Sequence, residues 1–377
     1  HDLAVLRRLL DDPDRAAVKG HAHYLLKLNE CLRRSVRDRW SKGERRWSAG
    51  DGLIQVTPHI KEALAAQRLA ARSFSLSTLQ RFSACPYQFL LSAVYRLHPL
   101  ERPEPLQRLD PLARGSLFHE IQARFFNTLK ADGALPLTME GLDAARVVLD
   151  RSIEAIADQV HDELAPAVER VWNDEVGLLR RDLHAWIEHL ARDGEEWAPA
   201  YFEFAFGPVP GPRDPASIPE DVLVDGRFRL RGAVDLVEEH RATKLLRVTD
   251  HKTGRRPERI EKVIVDGGKV LQPVLYAMAV ETALARSVWQ GRLFYCTSVG
   301  SFYAHEIPLN ERTRTAGLEV LEVIDRAIET GFLAAAPTED ACGRCDFRRV
   351  CGPDVHRRTV RKPQDRLADL TAIRSRS

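Results

Sequence analysis

Gly232-Ala233-Val234-Asp235 and Val248-Thr249-Asp250-His251-Lys252-Thr253-Gly254 are the segments on which the fold turns. Apolar residues alternate through Phe228 to Val237 and run through Leu245 to Lys252, so each segment predicts a strand. Val222 to Val224 and Phe228 to Val237 flank Asp225-Gly226, a dipeptide that favours the primed turns of β-hairpins. Side chains two apart on a strand share a face, so Asp250 and Lys252 point the same way. Asp235, on the neighbouring strand, can converge with them. Two carboxylates and a lysine at one spot suit Mg²⁺, which keeps several waters and binds through one or two carboxylates plus a substrate phosphate. Such a metal would polarise a phosphodiester and help generate hydroxide, while Lys252 orients the attacking water or offsets transition-state charge. A solvated strand end could also carry Asp250 and Lys252. Asp235 argues against that reading, because an unpaired carboxylate inside an apolar strand is costly.

On either side of these strands the sequence alternates between helical and extended periods. Phe202, Phe204 and Phe206 recur at period two and predict a strand with an aromatic face. A loop with Asp266-Gly267-Gly268 leads to a helix from about Pro273 to Arg286. Leu293 to Ser298 and Phe302 to Ile307 read as a strand pair, and Arg312 to Thr330 as a helix. Upstream, Glu101 to Pro111 reads as a proline-rich loop. Gly115-Ser116 opens a helix with the stripe Leu117, Phe118, Ile121, Phe125 and Leu129, and helical spacing continues to about Trp197. Residues 1–72 form a helical lead-in, with Tyr24, Leu25, Leu28 and Cys31 at helical spacing, and the basic stretch 356–377 is expected to be a loosely ordered tail. The domain between them is expected to span 73–355.

The chain has six cysteines among 377 residues, too few and too unevenly spread for a disulfide scaffold. Cys342, Cys345 and Cys351 follow a C-x2-C-x5-C rhythm, and Cys85 stands far upstream in Ala84-Cys85-Pro86-Tyr87. Three clustered thiolates leave a coordination position that Cys85, at a proline-marked helix boundary, could fill. Four thiolates suit either zinc or a 4Fe–4S cluster, although one isolated cysteine with a close triplet is unusual for zinc. Cys31 and Cys296 read as core residues.

Net charge is +2, with 44% hydrophobic and 29% charged residues, so nucleic-acid affinity must come from local patches. One such patch is Arg255, Arg256, Arg259 and Lys262, read either as a solvated loop or as a phosphate-gripping edge. No long apolar run or secretory leader is visible, so a cytoplasmic protein without a membrane partner is expected. No phosphate loop ending in Gly-Lys-Ser or Gly-Lys-Thr occurs, so ATP hydrolysis is not expected of this chain.

Taken in order, Ser75-x-Ser77-x-Leu79 running into Cys85-Pro86-Tyr87, Gly115-Ser116-Leu117-Phe118-His119, Gly232-x-x-Asp235, Asp250-His251-Lys252-Thr253-Gly254, Gln272-x-x-x-Tyr276 and the terminal cysteine triplet carry a resemblance. From about Ser73 to Gly352 the chain resembles the RecB-like group of PD-(D/E)XK nucleases, most closely the iron–sulfur nuclease domain of AddB-type helicase–nuclease subunits. That resemblance implies an α/β fold of the restriction-endonuclease type, a central mixed sheet flanked by helices, with added helical segments and a cysteine-ligated cluster. It implies metal ligation by His119, Asp235 and Asp250, with the His251 main-chain carbonyl contributing, and Lys252 as catalytic lysine. Gln272 and Tyr276 would hold the DNA backbone or support Lys252, and Glu203 matches an acidic position on the preceding strand. Cys85, Cys342, Cys345 and Cys351 would hold a 4Fe–4S cluster, which favours the cluster over zinc. The implied activity is Mg²⁺-dependent (or Mn²⁺-dependent) DNA exonuclease action on single-stranded ends, beside a helicase–nuclease partner in double-strand-break repair. A stand-alone single-strand exonuclease and a catalytically silent DNA-binding scaffold are the alternatives.

Overall fold

A computed structural model describes residues 2–12, 14, 16–99, 108–211 and 214–376. The chain forms two compact units, one from residues 69–77, 100–322 and 376–377, the other from 1–68, 78–99 and 323–375. The first is built on a seven-stranded sheet: β1 (Phe74–Ser75), β2 (Trp197–Phe206), β3 (Val222–Val224), β4 (Phe228–His240), β5 (Leu246–Lys252), β6 (Val288–Tyr295) and β7 (Tyr303–Pro308). Its order is β1-β4-β5-β6-β7, with β2 and β3 also paired to β4. The pairing is mixed. β4–β5 and β6–β7 are antiparallel, whereas β5–β6 is parallel.

Local chemistry accounts for these connections. Asp225 and Gly226 both take positive φ, 52° and 65°, which gives the β3–β4 hairpin the turn that the dipeptide predicts. A parallel pair needs a crossover, here the helix Gln272–Leu284 between β5 and β6. Gly291 on β6 lets that helix start close by, since a Cβ there would run into the Pro273 backbone.

Three longer helices, α1 (Pro111–Ala131), α2 (Leu142–Leu164) and α3 (Glu169–Asp193), share a core with Phe202, Leu236 and Phe294 of the sheet; the crossover helix is α4. Phe126 of α1 stacks on Phe202 with centroids 4.5 Å apart. The α1 helix begins before Gly115-Ser116, because Asp110 accepts from the Ala113 N–H at 2.8 Å and Pro111 fits a first turn. Of the proline-rich loop, residues 101–107 lie outside the described residues.

The other unit corrects two expectations. Tyr24, Leu28 and Cys31 do not line a buried stripe: Asn29 is extended, ends the helix His23–Leu28 and caps a new one, Glu30–Lys42, leaving Cys31 exposed. The buried cluster formed by these N-terminal helices is instead Leu9, Val18, Ala22 and Val36. Nor is the tail loose. Residues beyond His356 continue the helix Val355–Val360 and form Ala368–Arg374, burying Leu367, Leu370 and Ile373. Lys362 is buried, bonding the Glu44 and Arg46 carbonyls at 3.1 and 2.7 Å and Asp51 Oδ2 at 2.9 Å. A basic composition suggested solvation, yet a lysine whose donors are all used can be held inside.

Candidate active site and cysteine pocket

The β4–β5 ladder pairs Leu236 with Thr249, so one further step in register sets Asp235 opposite Asp250. Lys252 Nζ lies 2.7 Å from Asp250 Oδ2, as expected for residues two apart on a strand. Asp235 Oδ2 accepts the His251 N–H at 2.5 Å and lies 3.5 Å from His119 Nδ1, which α1 carries one turn beyond Gly115. His119, Asp235 and His251 offer ligand atoms within 4.8 Å of one another. Tyr276, one turn into α4 from Gln272, puts its ring against Gly232, where a Cβ would lie 2.6 Å from Tyr276 Cε1. The Gly232-x-x-Asp235 spacing thus makes room for Tyr276 on the strand that carries Asp235. Arg255, Arg256, Arg259 and Lys262 are exposed beyond β5, with Arg256 4.4 Å from the Tyr303 ring centre.

The electrostatics are those of a site short of positive charge. Burial, then Asp235 and Asp250, pushes Glu203 up to about 8. Burial likewise raises Asp235 to about 6, with Asp250 adding to the rise while His119 and Lys252 oppose it. Burial would lower Lys252, but Asp250 outweighs it and the ammonium is held more firmly than usual. That environment favours the Lys252 ammonium beside Asp250. Burial raises the Tyr276 hydroxyl, and Asp250 and Asp235 raise it further, leaving a proton donor.

Two features escaped sequence reasoning. The His251 imidazole is buried beside Trp186, Phe294 and His119, at centroid distances of 5.9, 6.0 and 6.2 Å, and among the described residues neither ring nitrogen has a hydrogen-bond partner. Burial, then His119 and Arg292, holds it well below its usual range, which favours the neutral ring whose nitrogens could serve a metal. Glu203 takes φ 52° within β2, and the loop residue Asp214 bonds the main chain on both sides of it, Phe202 N and Glu203 O. A left-handed glutamate in a strand has no local sequence signal.

The PD-(D/E)XK nuclease superfamily matches residues 73–352. The chain belongs to this superfamily. No curated protein matches it. The mixed sheet flanked by helices is the fold expected for a PD-(D/E)XK nuclease, and members of the superfamily use divalent metals. A largely buried, charge-deficient set of carboxylates beside an unpartnered imidazole fits such a cation. Among the described residues, no helix of this PD-(D/E)XK protein is long and apolar enough to cross a membrane.

In the second unit one pocket is lined by Cys85, Cys342, Cys345 and Cys351 with Tyr87, Leu91, Phe347 and Val355. Cys85 follows the helix Leu76–Ala84 and precedes Pro86–Phe89, the predicted boundary position. Burial pushes its thiol up to about 11 and that of Cys351 up to about 12. Protonated thiols in an apolar pocket become thiolates when a metal displaces the protons. Four cysteines lining one small pocket fit a metal centre. Cys296 is buried beside the Lys252 carbonyl, apart from this group, as a core residue should be.

Proposed function

We propose that this chain is the nuclease part of an AddB-type helicase–nuclease, a Mg²⁺- or Mn²⁺-dependent exonuclease on single-stranded DNA ends in break repair, with a structural 4Fe–4S cluster. The observation that carries it is the convergence of half-buried Asp235, in mid-β4, with His119 and with Asp250 and Lys252 at the end of β5 in a PD-(D/E)XK chain. His119, Asp235, Asp250 and the His251 main-chain carbonyl would hold the divalent cation, and the His251 imidazole is a further candidate. Bound there, the cation supplies Lewis-acid activation of the phosphodiester and a lowered water pKa. Lys252, fixed as an ammonium by Asp250, offsets charge developing on the phosphoryl oxygens or orients water. Tyr276 and Gln272 hold the DNA backbone or support Lys252, and Arg255, Arg256, Arg259 and Lys262 grip phosphates further along the strand.

The cysteine pocket supports the cluster reading. Zinc bonded at about 2.3 Å to four thiolates brings sulfurs within roughly 4 Å of one another. Among the described residues, the group whose ligand atoms lie within 4.8 Å is His119, Asp235 and His251, not the cysteines. A wider cysteine set suits a cluster, and free thiols fit a reducing cytoplasm. All four cysteines belong to one unit, and the proposed catalytic residues fall between Cys85 and Cys342 in sequence. The cluster would fasten the segment entering the nuclease core to the one leaving it.

The test is cleavage of end-labelled single-stranded DNA with Mg²⁺ or Mn²⁺ by the parent, Asp250→Ala and Lys252→Ala. Cleavage by the parent alone supports the reading. Equal cleavage by all three sinks the catalytic assignment, and binding without cleavage by the parent leaves the scaffold alternative standing.

A further inference from the structure

The nuclease unit serves its arginines unequally. Arg247 donates from Nε, Nη1 and Nη2 to Glu238, Glu306 and Asp193, and Arg292 from the same three atoms to Thr249, Asp193 and Glu238. Every nitrogen of these two guanidinium groups has a partner. Arg114, near the start of α1, donates from Nη2 to Asp182 Oδ2 at 3.2 Å, and among the described residues its buried Nε–H has no partner. A guanidinium carries five N–H donors, and one so sparsely bonded keeps donors for an anion.

The anchor of Arg114 is built into the core. Asp182, on α3, is only 5% exposed, and its other oxygen accepts the Ser298 N–H at 2.9 Å. Thr297, one residue earlier, donates from Oγ1 to the Thr253 carbonyl at 3.1 Å, and the Cys296 N–H donates to the Lys252 carbonyl at 3.0 Å. Asp182 thus ties Arg114 to the segment that braces the end of β5. The α1 backbone borders the same place, since a Cβ at Gly115 would lie 3.5 Å from Thr253 Oγ1. The Arg114 side chain is 24% exposed, so the fork is reached from solvent on the stretch of α1 that meets the residue after Lys252.

A planar fork with free donors beside a site for phosphodiester chemistry matches the oxygens of a phosphate. We propose that Arg114 is a DNA-binding residue: held by Asp182, its guanidinium takes a backbone phosphate next to the one attacked at Lys252. This inference rests on the nuclease reading above and deepens it. Arg255 and Arg256 are fully exposed just past Gly254 and must be ordered by the DNA they grip. Arg114 is already held by a buried carboxylate, so it loses less side-chain freedom on binding.

Fluorescence anisotropy of a labelled single-stranded oligonucleotide tests this over a range of salt concentrations, with the full chain in an Asp250→Ala background that separates binding from cleavage. Arg114→Gln should weaken binding about tenfold and lower the slope of log affinity against log salt by about 0.7, the loss of one phosphate contact. Arg114→Lys keeps the charge and should keep the slope of the background protein. The double variant Arg114→Gln/Asp182→Asn leaves no buried carboxylate unpaired and still offers Ser298 an acceptor, so it should fold and show the same loss of slope as Arg114→Gln. A merely structural pair would lower stability without moving the slope. Slope unchanged in Arg114→Gln and in the double variant, or loss of folding in both, would overturn the proposal for Arg114 and leave the nuclease reading in place. No binding by the background protein would overturn both.

Discussion

Glu238, buried, and Asp235, half-buried, lie three residues apart on the same strand, and the protein treats their charges in opposite ways. Burial alone would raise Glu238, but Arg247 and Arg292 outweigh it and hold the carboxyl down at about 2, with Thr249 donating a further hydrogen bond at 2.8 Å. Asp235 is raised to about 6, with His119 and one main-chain N–H as its near partners. One buried charge is matched inside the fold. The other is left to be matched by something from outside. A buried carboxylate is therefore functional or structural according to whether its countercharge belongs to the chain.

This contrast predicts different responses to removal. Asp250→Ala should lower cleavage of single-stranded DNA by about a thousandfold with an unchanged far-ultraviolet dichroism spectrum. A comparable loss of thermal stability would mean that the raised carboxylates hold the fold together, and the contrast would break. Glu238→Gln should do the reverse. It strands Arg247 and Arg292 and should cost about 3–5 kcal/mol in denaturant unfolding, while cleavage per folded molecule is retained.

pH sharpens the comparison, because the two groups work with opposite sign. Between about 4.5 and 2 the unfolded chain takes up the Glu238 proton before the native chain does, so the stability this group provides is lost as pH falls through that window. Between 3.8 and about 6 the native chain holds the Asp235 proton more tightly, so this group costs stability as pH rises. Glu203 extends the same loss up to about 8. Chelator-treated protein should therefore lose stability from pH 4 to pH 8 more steeply than Asp235→Asn, and added Mg²⁺ or Mn²⁺ should restore it at the upper end. Parallel curves for parent and variant would show that Asp235 carries no buried cost.

The smallest effect concerns geometry. Gly232→Ala pushes a methyl against Tyr276 and should cost about 1–3 kcal/mol, with a larger fall in cleavage rate than in DNA binding. Unfolding and cleavage unchanged from the parent would show that Tyr276 has room to move.

Much of the nuclease unit was legible because its signals are local. Asp225-Gly226 sets a turn by backbone preference, alternation in Phe202, Phe204 and Phe206 sets a face, and Asp250 and Lys252 share a side because a strand has period two. The same local logic misread Tyr24 to Cys31, where helical spacing ran on through Asn29, a residue that ends one helix and caps the next. It also misread the tail, where charge suggested solvent but tertiary carbonyls hold Lys362. Arg374 is a second case, bonding the carbonyls of Ser83, Ala84 and Ala336 at 2.9, 3.1 and 2.7 Å.

By itself the sequence determined the strands, the carboxylate–lysine pair and the cysteine spacing, since each depends on dihedral preference or on neighbours a few residues apart. Only the tertiary structure decided which charges are neutralised. The Glu238 partners come from β5 and β6, His251 is enclosed by α3, α1 and β6, and the Glu203 backbone is fixed by a loop beyond its own strand. Burial and countercharge are set by atoms far away in the chain, and no local pattern encodes them.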